Sequence, residues 1–215
     1  MPRILSVYSG VSLYYFGLIK TMPNQILHWI SWLWLAWFIA WWLLAFWHKP
    51  VRQTASPRIE YGHRILVIAG FVLLWEPFRL AILRTRIYDP PLWLLWTSLC
   101  MVIAGIAMTF WARFTLGANW DARVVVKQDH ELIRRGPYAR IRHPIYSGIL
   151  LAILGTLGAA ARWSGVLGYA LVFTGLWMKA HGEEHLLAPI FGTAFSEHQR
   201  RTGMFLPRWR QSGVP

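Results

Sequence analysis

The sequence predicts an all-α fold, an integral membrane helical bundle of about five transmembrane helices, built as a single domain of 215 residues. Three observations carry this expectation. Hydrophobic residues make up 56% of the chain and charged residues 14%, against roughly a quarter charged in an average soluble domain. Several apolar runs are long enough to cross a hydrocarbon core that needs about 20 helical residues. The cationic residues also fall unevenly between the segments joining those runs.

The first span is predicted over residues 24–47, a stretch free of formal charge. A second follows over 62–83 and a third over 92–111. After a polar stretch, a fourth covers 144–161 and a fifth 163–180, so the last two form a tight helical hairpin. Pro144 suits a helix start, where its missing N–H is an unpaired donor in any case. Residues 4–19 are apolar but short and end at Lys20 and Pro23, which predicts a separate interfacial or half-inserted segment. Residues 1–112 thus carry spans one to three, and 113–215 carry spans four and five.

Topology follows from the cationic count. With the N-terminus outside, the inner segments 48–64, 113–143 and 179–215 hold 16 of the 22 Lys and Arg residues, and the outer segments hold five. Cytoplasmic loops collect Lys and Arg, so this orientation is favoured over its inverse. The same bias accounts for a net charge of +13 without a nucleic-acid partner. Fifteen Trp residues fit a chain rich in membrane–water interface. The lone cysteine, Cys100, lies in an apolar run and reads as an inert thiol. No basic stretch leading into an apolar core and a small-residue cleavage site opens the chain, so no removable signal peptide is expected.

The polar signals concentrate in two inner segments. One is His130-Glu131-Leu132-Ile133 with Gly136-Pro137-Tyr138, followed by Arg142-His143-Pro144-Ile145-Tyr146. The other is Lys179 with Glu183-Glu184, then Leu187 and Phe191-Gly192. A turn at Gly-Pro delivers basic and aromatic groups to a helix N-terminus, whose free N–H groups suit an anion. Tyr138 and Tyr146 offer π faces to a purine or a cation. Glu183 and Glu184 can neutralise a cation or bind a ribose diol. Interface anchoring, an aromatic belt and solvated glutamates account for the same residues equally well.

The pattern Gly136-Pro137-Tyr138 … Arg142-His143-Pro144-x-Tyr146-x-Gly148 resembles the signature of the isoprenylcysteine carboxyl methyltransferase family. Glu183-Glu184-x-x-Leu187 … Phe191-Gly192 … Pro207 resembles that family's C-terminal motif, so the likeness covers residues 130–208. The resemblance implies a membrane enzyme that uses S-adenosylmethionine (SAM), held in a pocket on the cytoplasmic side, to methylate a lipophilic or prenylated acceptor, with carboxyl O-methylation the leading activity. It places cofactor contacts at His130, Glu131, Leu132, Ile133, Tyr138, His143, Pro144, Ile145, Tyr146 and Glu183. Lys179 stands where the family often has an Arg facing the acceptor, and Lys lacks the bidentate grip of a guanidinium. Glu184 is the candidate base for an acceptor that must lose a proton. His198 stands where a Tyr is expected.

Two alternatives belong to related membrane enzymes: methylation of phospholipid amines or small thiols, and an NADPH-dependent reductase similar to the sterol reductases. His181-Gly182-Glu183-Glu184-His185 fits a zinc-peptidase pattern, but lacks an evident third ligand, so no metal is expected. Glu76 and Arg79, three apart within the second span, are read as a mutually neutralising pair.

Overall fold

The computed structural model describes residues 3–46, 51–54, 57–75, 83, 85–121, 123, 125–127 and 131–208. His130, Glu76 and Arg79 lie outside the described residues. Among those described, six helices build the fold: α1 (Arg3–Leu44), α2 (Pro57–Trp75), α3 (Leu92–Leu116), α4 (Pro144–Ala160), α5 (Trp163–Phe191) and α6 (Thr193–Arg201). An antiparallel two-stranded ribbon, β1 (Val51–Thr54) with β2 (Val125–Lys127), adds to the expected all-α architecture. The separate segment expected at residues 4–19 is instead continuous with the first span, since the backbone runs as one 42-residue helix through Pro23.

Two stretches among the described residues are long and apolar enough to cross a membrane, Asn24–Leu44 and Leu92–Asn119, and α4 is a shorter apolar helix. The helices α2 and α5 fall outside that class. Each carries charge in one end: Glu60 and Arg64 in α2, Lys179, Glu183 and Glu184 in α5.

Sequence sets where the helices begin and end. Pro91 precedes α3, and Gly117 closes it at φ 59°, its N–H bonded to the Arg113 carbonyl. Pro144 opens α4 as expected, directly after His143. Ala161 then takes a left-handed conformation, and α5 returns antiparallel from Trp163. Small residues bring these helices into backbone contact. A Cβ placed on Gly105 of α3 would lie 2.5 Å from the carbonyl oxygen of Gly148 on α4. On the other face of α5, a Cβ on Gly168 would lie 2.7 Å from the carbonyl oxygen of Gly70 on α2. Such close approach is the way helices pack where apolar burial alone gives no preference.

The core is aromatic. Trp34 and Trp37 of α1 are buried, and each donates its indole N–H inward, to Thr156 Oγ1 at 2.9 Å and to Thr109 Oγ1 at 2.8 Å. Buried indoles need such partners, so these two bonds tie α1 to α4 and to α3. Phe71 and Trp75 of α2 meet Trp34 edge-on. Fully buried Arg113 donates to the carbonyls of Leu44 and Gly117 at 2.7 and 2.6 Å, capping the ends of α1 and α3 together, and lies over the Trp120 ring.

The connecting segments sort into two ends. At one end the ribbon joins 51–54 to 125–127, and Ile141 bridges to Gly203. At the other, Arg86 bridges to Arg162 and the Ile87 N–H bonds the Ala161 carbonyl. Segments predicted on one side of a membrane therefore meet each other, and those predicted on the other side do likewise.

Candidate active site

A pocket opens at the end where 113–143 meets the C-terminal segment. It encloses about 880 Å³ of non-atom space, counting the open solvent at its mouth. Its walls come from four places: the end of α3 with the residues after it, the stretch 131–146, the last turns of α5, and α6.

Local structure aims these groups. Gly136 turns the chain at φ 56°, packed so closely on α3 that a Cβ there would meet Thr115 Oγ1 at 3.0 Å. The short 3-10 turn Gly136–Ala139 buries Tyr138 against the pocket. The next residues zip onto the C-terminal segment: Arg142 N–H to the Gly203 carbonyl at 2.9 Å and His143 N–H to the Met204 carbonyl at 3.0 Å. Ser147 Oγ adds a bond to the Phe205 carbonyl at 2.6 Å. With its backbone clamped, His143 starts α4 and presents its ring to two carboxylates.

That ring is the centre of the site. Its Nδ1 lies 3.4 Å from Glu183 Oε2 and its Nε2 lies 3.1 Å from Glu184 Oε1. Both nitrogens can donate only in the imidazolium form. Burial opposes that charge, but the hydrogen bonds and charges of Glu183 and Glu184 outweigh it, and the His143 pKa is raised. Tyr146 stacks on the imidazole at 5.3 Å between centroids and donates its hydroxyl to Glu183 Oε1 at 2.7 Å. Lys179 Nζ lies 3.8 Å from the same oxygen. Burial works against the Glu183 charge too, and is overcome by His143, Lys179 and Tyr146, so its pKa is lowered.

Glu184 faces the other way. Oε1 accepts from Arg142 Nε at 2.7 Å as well as from His143, and Oε2 accepts from Gln199 Nε2 at 2.8 Å. Arg142 continues to the Thr202 carbonyl at 2.6 Å. Burial of Glu184 is outweighed by the bonds from His143 and Arg142, which bring its carboxyl down to about 2. A carboxylate so engaged is a poor proton acceptor at neutral pH, and what it does here is fasten α6 and the C-terminal segment to α5. His198, in α6, lines the pocket with its pKa lowered by burial and by the charges of Arg134 and Arg142.

Glu131, Leu132, Ile133, Tyr138, His143, Ile145, Tyr146, Glu183 and Glu184 all line the pocket. Pro144 is buried behind it as the first residue of α4, where it aims its neighbours. Lys179 sits one turn back along α5, outside the pocket walls, with its ammonium 5.6 Å from the Tyr146 ring. The motif residues fail to include Asn119, Trp120, Asp121 and Arg123, which line the wall after α3. An acidic residue in a loop with seven Lys and Arg residues was the available signal for Asp121. From the inner end, an aromatic run leads outward: Tyr146 to Phe205 at 6.5 Å, Phe205 to Phe173 at 5.9 Å, and Phe173 stacked on Tyr169. Phe173 is exposed on α5. Among the described residues, no group of three or more His, Cys, Asp or Glu side chains is placed to hold a metal ion.

The family model for isoprenylcysteine carboxyl methyltransferases matches residues 96–189, which hold His143, Tyr146, Lys179, Glu183 and Glu184. Over that stretch the chain is similar to this family. A protein-S-isoprenylcysteine O-methyltransferase of Tribolium castaneum is 30% identical over 121 residues, 54% of this chain and 42% of the insect protein. Protein-S-isoprenylcysteine O-methyltransferase B of Arabidopsis thaliana is 28% identical over 126 residues, 57% of this chain and 60% of the plant protein. A methanethiol S-methyltransferase of a Pseudomonas species is 27% identical over 158 residues, 68% of this chain and 58% of that protein. The chain thus spans about half the length of the curated relatives it matches. The methyltransferase family stretch stops short of α6 and the segment that closes the pocket, and it begins after α2.

Proposed function

We propose that this chain is a SAM-dependent methyltransferase of the membrane, acting on an apolar acceptor. The observation that carries the reading is the convergence of both family motifs on Glu183, which faces the pocket while bonded to Tyr146 and flanked by His143 and Lys179. The donor set suits SAM. Glu183 and Asp121 offer carboxylates to its cationic and ribose groups, Arg123 offers a cation to its carboxylate, and Leu116, Ile133 and Leu187 offer apolar surface to its adenine. When bound, SAM supplies a sulfonium methyl that an acceptor lone pair takes as the C–S bond pair returns to sulfur.

The protein's contribution is positional and electrostatic, because that methyl arrives already activated. His143, Tyr146 and Lys179 fix Glu183 in one orientation. The clamp of Arg142, Glu184 and Gln199 holds α6 over the pocket and limits water. The run from Phe173 to Tyr146 supports lateral entry of an acceptor from lipid. Five spans with the pocket at the cytoplasmic end remain the favoured topology, supported by the meeting of the cation-rich segments at that end.

Two versions of the acceptor accord with the relatives' names. A carboxyl group on an isoprenylcysteine-like acceptor would arrive as an anion; a thiol, or a phospholipid amine, would not. Calorimetry on the detergent-purified chain tests the common part. SAM is expected to bind, NADPH to fail, and Glu183→Ala to weaken SAM at least about tenfold through loss of a charge-assisted contact. Binding of NADPH in place of SAM would sink the methyltransferase reading and raise a reductase.

A further inference from the structure

The helix α2 lies outside the family stretch, yet it reaches the site. It runs antiparallel to α5 in a register fixed by close contacts. A Cβ on Gly70 would touch Gly168, one on Gly175 would touch the His63 carbonyl, and one on Gly62 would touch Met178. One turn beyond His63 towards the start of α2 is Glu60. One turn beyond Gly175 towards the end of α5 is Lys179. Helix periodicity keeps each on the facing side of its helix, at the same level. Both are largely buried, with side chains 15% and 9% exposed. Glu60 lies within electrostatic reach of Lys179, as do Asp121 and Arg64. Arg64, one turn along, forms an ion pair with Glu60, and its own side chain is 39% exposed.

We propose that Glu60 is the acceptor-side positioning residue of this site, holding the Lys179 ammonium between itself and Glu183 so that the site selects an acceptor that arrives without negative charge, a thiol in particular. The inference rests on the methyl-transfer reading above. Its logic is electrostatic. A lone buried ammonium would attract a carboxylate acceptor; one set between Glu183 at 3.8 Å and Glu60 across the helix interface has little field left to offer an anion. A carboxylate brought beside Lys179 would also lie in the field of Glu60, which its ion pair with Arg64 screens only in part. A thiol meets neither cost. On methyl transfer the thiol sulfur would bond the methyl, the donor's methyl–sulfur bond pair would return to the donor sulfur to leave S-adenosylhomocysteine, and the S–H proton would pass to water at the pocket mouth.

The test is ligand selection by the full-length chain in lipid nanodiscs, loaded with S-adenosylhomocysteine. Binding of an alkyl thiol and of the alkyl carboxylic acid of equal chain length is measured calorimetrically, for the native chain and for Glu60→Gln. The native chain should bind the thiol more tightly. The variant should gain on the acid about tenfold relative to the thiol, the scale expected for one partly screened charge at close range, while still binding S-adenosylhomocysteine. Tighter binding of the acid by the native chain, or an unchanged preference in a variant that still binds S-adenosylhomocysteine, overturns the assignment of Glu60 alone. Failure of the native chain to bind S-adenosylhomocysteine overturns the methyl-transfer reading and this inference with it. Tighter acid binding by the native chain overturns the selection even should Glu60→Gln not fold, and Glu60→Asp, which keeps the charge, should retain the thiol preference.

Discussion

His143, Glu183 and Glu184 behave as one titrating unit, and their signs differ. The Glu184 carboxyl is held at about 2, below its ordinary value of 4.5, so it stabilises the fold above the ordinary carboxylate range. That contribution fades as pH falls from about 4.5 towards 2. The raised pKa of His143 works in the opposite sense: its contribution is full below the ordinary imidazole value and is lost as pH rises through the folded-state value. Thermal melting across pH should therefore show a stability plateau in mildly acidic buffer, falling on both sides. In Glu184→Gln the acid-side fall should flatten, and stability at neutral pH should drop by about 3 kcal/mol, the usual consequence of removing one partner of a buried ion pair. An unchanged acid limb in that variant would refute the role of this carboxylate. These residues were visible in sequence as motif members, but their division of labour was not. Sequence alone makes Glu183 a cofactor contact and Glu184 a base; both line the pocket, but the roughly 100° between neighbours on a helix turns Glu184 towards Arg142 and α6 as well.

At the level of elements, the two glycine contacts set how far the helices approach. Gly148→Val should push α4 from α3, lowering stability by at least about 2 kcal/mol through overpacking, with the pocket displaced as His143 follows α4. Circular-dichroism melts, with SAM titration of the folded fraction, would check both consequences. If Gly148→Val melts like the native chain, close backbone contact at Gly105 is not the packing device described. Periodicity and apolar length located α3, α4 and the hairpin turn within a few residues, because Pro144, Gly117 and the Ala161–Arg162 break are local signals. The part played by α2 was not legible. Its pairing with α5 depends on Gly70, Gly168 and Gly175 meeting across a hundred residues, and no local signal carries that.

For the whole molecule, the meeting of segments into two ends is the strongest structural support for the proposed topology. An impermeant maleimide applied to sealed, inside-out vesicles should label a cysteine at Arg208 and spare one at Tyr88, in a background with Cys100→Ala. Right-side-out vesicles should give the reverse. Labelling of both positions from one side would refute an odd number of crossings between them. The continuity of α1 through Pro23 was not read from the sequence, since a proline reads locally as a break and a long helix can absorb one.

The clamp between residues 140–147 and 199–205 also orders events in the life of the chain. Those closing residues leave the ribosome after all of the helices they close upon. The bundle is thus synthesised, and free to pack, while its pocket still lacks a roof. A chain truncated after Phe191 would keep α1 to α5 but lack the wall that α6 and residues 199–205 give the pocket.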